Sequence, residues 1–379
     1  MTHSPSSPAA PSAAQASQPT PEYYERLLAE AQAIQGVSLG RDAWRRLRRS
    51  RVAMASLGFL VLLSLAALAT PLLPLDSPRR IDTERQFAPP TLEGWWGPYL
   101  SGDSDSLTGQ QIEELFGRLS WFNRRLVALR VALFGTHSLG PVCGTDELGR
   151  DVLSRLFWGA RISLIVGLVA TLVSLVIGVS YGAVSGYLGG AVDNLMMRFV
   201  DVLYSVPFIF VVIFLIMILS EEGIRTQLET YGISRITVFF FVVGAIYWLT
   251  MARVVRGQVI SLKHEQFVEA ARTIGAGRPR IIFMHLVPNL LSVIIVYLTL
   301  TIPRVMLFEA FLSFLGLGVE PPDVSWGLLA NEGVRAIVAV KIYWWLVLFP
   351  SLALGATLFA LNFLGDGLRD ALDPRLKNR

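Results

Sequence analysis

Apolar residues in this chain gather into runs long enough to cross a bilayer, and polar residues gather between them. A helix needs roughly 20 mostly apolar residues to traverse the hydrocarbon core. Six runs meet or approach that length: Val52–Leu75, Ile162–Leu188, Val202–Ser220, Ile236–Ala252, Leu290–Val319 and Ile342–Gly365. The first, second, third and sixth contain no charged residue. The fourth is short but rich in Phe and Val, and the fifth carries Arg304 and Glu309. Pro207 and Pro303 fall inside the third and fifth runs, where a freed carbonyl kinks a helix beside a cavity or simply for packing. In the second, Gly178, Gly182 and Gly186 recur at four-residue steps, a stripe that lets another helix approach closely. The pattern predicts an all-α membrane protein with six transmembrane helices.

The polar stretches divide the rest. Residues 1–35 read as a disordered tail, with room for one short helix from Pro21. Residues 36–75 combine the first span with a basic, amphipathic segment from Ser38 to Arg51, which reads as a helix lying on the membrane surface. The 76–160 connection is unusually long. It starts as irregular Pro- and Trp-containing chain and continues as an amphipathic helix from Thr108 to about Leu133, with Ile112, Leu115, Phe116, Leu119, Phe122, Leu126 and Leu129 at helical spacing. That helix docks an external partner, forms a lid, or packs on the membrane face of the protein. Residues 161–370 hold the other five spans, and 371–379 form a short tail.

Charge adds orientation. Only 16% of residues are charged, against the ~25% of soluble domains, and mean hydropathy is +0.52. Arginines crowd the flank before the first span (Arg41, Arg45, Arg46, Arg48, Arg49, Arg51), the loop between the fourth and fifth, and the C-terminal tail. The connections after the third and fifth spans hold two basic residues each, Arg225 with Arg235 and Arg335 with Lys341. The positive-inside rule then places both termini and the fourth-to-fifth loop in the cytoplasm, with 76–160 outside. The basic balance belongs to the lipid bilayer and implies no nucleic acid. The first apolar run follows fifty polar residues and is not expected to be a cleaved signal peptide. One cysteine, Cys143, excludes an internal disulfide, and the scattered histidines offer no metal spacing. No GxxxxGK[ST] or HExxH occurs, so no ATP site of that type, cofactor or catalytic group is expected in this chain.

The fourth-to-fifth loop is more elaborate than a connection requires. Glu265–Thr273 forms a helix well, with Phe267, Val268 and Ala271 as a small apolar patch and Ala270 and Ala271 keeping one face slim. Gly275 and Gly277 permit a sharp turn, Pro279 suits the start of a second short helix through Ile281, Ile282 and Phe283, and Pro288-Asn289 is expected to stop it. By physics alone this segment either inserts into a groove of a cytoplasmic partner or rests on lipid headgroups.

The run Glu269-Ala270-Ala271, then Gly275 and, after twelve residues, Pro288 resembles the EAA loop of ABC-importer membrane subunits. Its ending His285-Leu-Val-Pro-Asn289 looks like the peptide-transporter branch, although His285 and Val287 depart from the general consensus. Gly144-Thr-Asp-Glu-Leu-Gly-Arg-Asp151, Phe311–Val319 with Pro321-Pro322 and Ser325-Trp-Gly327, and the ending Asn362–Arg375 resemble the same dipeptide and oligopeptide permeases of the DppC/OppC type. The resemblance covers roughly Gly36–Leu75 and Gly144–Arg375. It implies a type I ABC importer (MetI-like) fold in a bacterial cytoplasmic membrane, extended outward between the first two helices. It further implies half of a peptide path, completed by a second permease, driven by two ATPase subunits that hold the ATP, and fed by an extracytoplasmic peptide-binding protein. The EAA loop, about 262–289, would be the coupling contact through Glu269, Ala270, Ala271, Gly275 and Pro288. Two other classes compete. A self-contained secondary transporter or channel would want buried carboxylates or repeated broken helices, which are not evident; a membrane enzyme would want a catalytic cluster. Arg304 and Glu309 either line a path, form a link between helices, or lie near the interface.

Overall fold

The computed structural model describes residues 39–97, 109–117, 119–219, 221–233, 235–338 and 341–372. The expected 1–35 tail with its short helix, and most of the 371–379 tail, lie outside these described residues. The amphipathic segment is helix α1 (Leu39–Leu47), shorter than Ser38–Arg51 because the chain turns at 48–50. Ser50 then caps α2 (Arg51–Ala69), its hydroxyl accepting from the Ala53 N–H. Leu47 packs on Ala53 and Ala371, so the apolar side of α1 is spent largely on the protein's own helices.

After a 3₁₀ turn at Thr70–Leu72 the long connection begins. Its two-residue strands β1 (Trp96–Gly97) and β2 (Ser138–Leu139) pair antiparallel, and between them lie α3 (Gly109–Phe116) and α4 (Trp121–Phe134). The single helix expected over Thr108–Leu133 is therefore two. Gly117 ends the first at φ +76°, beside the Arg79 guanidinium where a Cβ would clash, and the Ser120 hydroxyl starts the second by accepting from the Asn123 N–H. Arg130, buried on α4, donates to the carbonyls of Leu73 and Leu75 at 3.0 and 2.7 Å, which ties the connection to the exit of α2.

Helix α5 (Val152–Leu188) runs 37 residues and starts ten before the expected Ile162. The Asp151 carboxylate caps it at 2.7 Å from the Ser154 N–H. The third span is not one helix over Val202–Ser220 but a pair, α6 (Gly190–Ser205) and α7 (Phe208–Leu219), bent by 83°. Pro207 explains the break. It has no N–H to donate, and it holds Val206 in an extended conformation at φ −85°, ψ 127°. The chain continues through α8 (Glu222–Thr230), α9 (Arg235–Leu262), α10 (Gln266–Thr273), α11 (Arg278–Arg280), a π-helical segment Ile281–Leu286, α12 (Val287–Asn289), α13 (Leu291–Phe314), α14 (Trp326–Arg335) and α15 (Trp344–Leu372). Among the described residues, α2, α5, α9, α13 and α15 are long and apolar enough to cross a membrane, and the bent pair makes a sixth span.

Helices α5 and α9 form the centre. A Cβ on Gly178 would lie 2.6 Å from the Met251 side chain, one on Gly182 would strike the Ala252 carbonyl, and one on Gly186 would lie 2.8 Å from the Arg256 carbonyl. From the other side, Gly244 meets Ala170. At the far end α14 is fastened to α5. The Trp326 indole donates to the Leu156 carbonyl at 2.9 Å, and buried Arg155 bridges Asp146 and Glu332 at 2.5 Å each, with Arg150 also on Asp146.

Candidate functional site

The Glu269 segment is built as a short helix held from behind. Val268 and Ala271 of α10 are buried against Val255 and Val259 of α9 and against Ile281, Ile282 and Leu286 of the π segment. Period 3.6 then turns Glu269 and Ala270 outward, where both are exposed. Ala270 and Ala271 thus do different things: the first lies on the outer surface and the second packs inward. Gly275 closes α10 in the left-handed region at φ +88°. Its N–H bonds the Arg272 carbonyl at 2.9 Å while the Ala276 N–H reaches the Ala271 carbonyl at 3.0 Å, the paired bonds of a Schellman turn.

Pro288 does not stop the second helix. Val287 donates back to Ile282, five residues earlier, and this wider π turn leaves room for a proline that lacks its own donor. The helical path continues through α12 and a turn at Leu290 into α13. Pro288 itself is exposed.

Besides Phe267 and Phe283, which the sequence places in the apolar patch and the second short helix, the unforeseen Ile274 and Met284 stand out from this surface. Ile274 is 87% exposed, and Met284, Phe283 and Phe267 are exposed beside the same turn. An isoleucine directly before the Gly turn, in an otherwise polar stretch, was the available signal. The mount beneath is polar and tight. Arg256 of α9 makes a two-pronged pair with Asp193 of α6 at 2.6 Å for each oxygen, Ser185 of α5 donates to the same carboxylate at 2.5 Å, and Lys263 donates to the Gly186 carbonyl. Three spans are thereby joined at the base of α10.

Arg304 and Glu309 do not pair with each other. Glu309 is fully buried and accepts the Ser313 hydroxyl at 2.8 Å. Arg304 is exposed midway along α13, with no carboxylate at ion-pair distance among the described residues. Outside the spans, burial raises the Asp76 carboxyl to about 6, and burial likewise lifts Asp151 and Asp323. Among the described residues no group of His, Cys, Asp and Glu is placed to hold a metal ion.

Comparison with known proteins accounts for this arrangement. The family described as "Binding-protein-dependent transport system inner membrane component" matches residues 174–378, and "N-terminal TM domain of oligopeptide transport permease C" matches 38–90. The chain is 39% identical over 350 residues to the dipeptide transport system permease protein DppC of Bacillus subtilis, covering 92% of this chain and 90% of the relative. It is 38% identical to the oligopeptide transport system permease protein OppC of Haemophilus influenzae, over 91% and 92% of the two chains. To the glutathione transport system permease protein GsiD of Pectobacterium atrosepticum it is 33% identical, over 89% and 92%. Permease subunits of such importers have no ATPase site of their own and work with ATPase and substrate-binding partners, so the self-contained transporter reading is set aside. This multi-pass membrane chain, with five apolar helices and one broken span around a close-packed α5–α9 pair, belongs to the inner-membrane component family of binding-protein-dependent ABC importers.

Proposed function

We propose that this chain forms half of an inner-membrane import path for di- and oligopeptides, and that α10 with its Gly275 turn is where ATP-driven motion enters it. The printed substrates of the relatives, dipeptide, oligopeptide and glutathione, share a peptide backbone, which supports the substrate class. The coupling role rests on one observation above all. A helix fixed from behind by Val268 and Ala271 presents Glu269, Ala270 and a bare Ile274 to whatever lies below. An apolar side chain 87% exposed at the tip of a rigid turn suits insertion into a cleft of a partner. The arginine distribution supports a cytoplasmic position for this loop and for both termini. The remaining parts would be a second permease, two ATPase subunits and an extracytoplasmic peptide-binding protein. Arg304 and Glu309 separate in this reading, Glu309 serving packing and Arg304 the path.

Reconstitution of the chain with candidate ATPases, a second permease and a binding protein tests the assignment. Peptide-loaded binding protein should raise ATP hydrolysis and drive uptake into proteoliposomes. Hydrolysis indifferent to peptide, with no uptake, would remove the reading.

A further inference from the structure

The break in the third span opens a cavity of about 230 Å³ at the middle depth of the bundle, lined by Tyr204, Val206, Phe208, Tyr247 and Thr250. Its wall is mostly apolar, with Leu203, Ile246 and Leu249 also in it, and the three hydroxyls of Tyr204, Tyr247 and Thr250 are its polar points. The Tyr204 and Thr250 hydroxyls share a hydrogen bond at 2.6 Å, and the Tyr247 hydroxyl donates to the Arg304 carbonyl at 3.2 Å. Arg253 pairs with Asp201 at 2.7 Å and lies 4.0 Å from the centre of the Tyr204 ring, and both members of the pair are exposed. Between Ser205 and Phe208 the helical hydrogen-bond ladder is interrupted, and irregular backbone at membrane depth persists only inside protein or beside water.

Arg304 adjoins this wall through the backbone carbonyl that Tyr247 holds, and its exposed side chain bears on what the wall faces. A guanidinium halfway along a span, with no carboxylate at ion-pair distance among the described residues, is too costly to turn toward lipid tails, and pressed against another subunit it would need a partner charge. A water-filled path supplies both solvation and a passing anion. The inference rests on the peptide-import reading. We infer that Arg304, with the hydroxyls of Tyr204, Tyr247 and Thr250 at the α6–α7 break, is a substrate contact in the path, the guanidinium taking the C-terminal carboxylate of the peptide and the hydroxyls its amide groups. A guanidinium matches a carboxylate in two-pronged geometry, and tyrosines at a half-apolar cavity accept varied side chains beside it.

The test uses the complete reconstituted importer and one peptide in two forms, free acid and C-terminal amide. Uptake is normalised to the amount of loaded binding protein. The wild type should prefer the acid by roughly tenfold, the scale of one charge-assisted hydrogen bond. Arg304→Gln should erase the preference and Arg304→Lys should restore part of it. In a Cys143→Ala chain, Thr250→Cys should react with a water-soluble thiol reagent, more slowly when peptide is being imported. A preference unchanged in Arg304→Gln overturns the inference alone. So does loss of the second permease from the Arg304→Gln complex, which would make Arg304 a subunit contact. A wild-type complex that imports neither peptide overturns the import reading and this inference with it.

Discussion

Gly275 has nothing within 4 Å of the position a Cβ would take, so its requirement is conformational and not steric. Alanine there must adopt φ +88°, which costs about 1–2 kcal/mol for an L-residue. Proline cannot reach that angle and also removes the N–H held by Arg272. Gly275→Ala should therefore retain part of peptide uptake, while Gly275→Pro should abolish it with the chain still inserted in the membrane. Uptake by the proline variant at the wild-type rate would make a docking role for this turn untenable. Asp76 poses a different problem at the same scale. Burial raises its carboxyl to about 6, so between the unfolded value near 4 and about 6 the folded chain holds a proton that the unfolded chain has released. Stability then falls as pH rises through that window and is level above it, by at most about 3 kcal/mol. Asp76→Asn should raise the thermal midpoint in detergent increasingly from pH 4 to pH 6 and by a constant amount above; an unchanged pH profile would show that Asp76 is solvated in the folded chain.

Between α5 and α9 the contact is backbone to backbone. A Cβ on Gly182 has the Ala252 carbonyl in its way, and no side-chain rotation relieves a clash with main chain. Gly182→Ala should separate the two helices and lower stability by about 1–3 kcal/mol, as overpacked cores do. The corresponding Gly257→Ala on α9, a position with open space, should not destabilise; both are read from thermal midpoints in detergent. This stripe was legible in the sequence because small residues at four-residue steps have one common use. The spans were legible for the same kind of reason, since apolar runs report lipid. What escaped depended on partners distant in sequence. Residues 152–161 look like a polar flank because of Arg155 and Arg161, yet Arg155 is buried by Asp146 and by Glu332, some 180 positions away, and α5 extends accordingly. Pro207 announced a kink but not its size, because the 83° bend is set by how α6 and α7 pack on α9. Pro288 looked like a stop because an ordinary α-turn cannot absorb it, and nothing local signals that the preceding turn will widen. Of the proposed coupling site, Glu269, Ala270 and Gly275 are named by the motif they resemble. Ile274 is not, because its exposure follows from which face α10 buries.

Across the whole molecule, one rigid member connects the two proposed working surfaces. Helix α9 runs unbroken from Arg235 to Leu262, with Tyr247 and Thr250 on the wall of the cavity and α10 following its last turn. From Thr250 to Leu262 the distance along the axis is about 18 Å at 1.5 Å per residue. Because α9 is packed so closely on α5 and bonded through Arg256 to Asp193, a push on α10 should tilt these spans together instead of bending one of them. A tilt of that kind would move the cavity wall against the proposed second permease, the switching between two packed arrangements that alternating access requires. Continuity of the chain between α9 and α10 is then indispensable, whereas the chemistry of the link is not. Two glycines inserted after His264 should leave the ATPases bound, because the surface of α10 is intact, and should let them hydrolyse ATP, but peptide uptake should fall by about an order of magnitude or more. Two alanines inserted at the same place, which extend the helix instead of loosening it, should misplace α10 and weaken ATPase binding itself. The pair separates transmission from docking: if both insertions left uptake near the wild-type level, force would have to enter the membrane somewhere other than through α9.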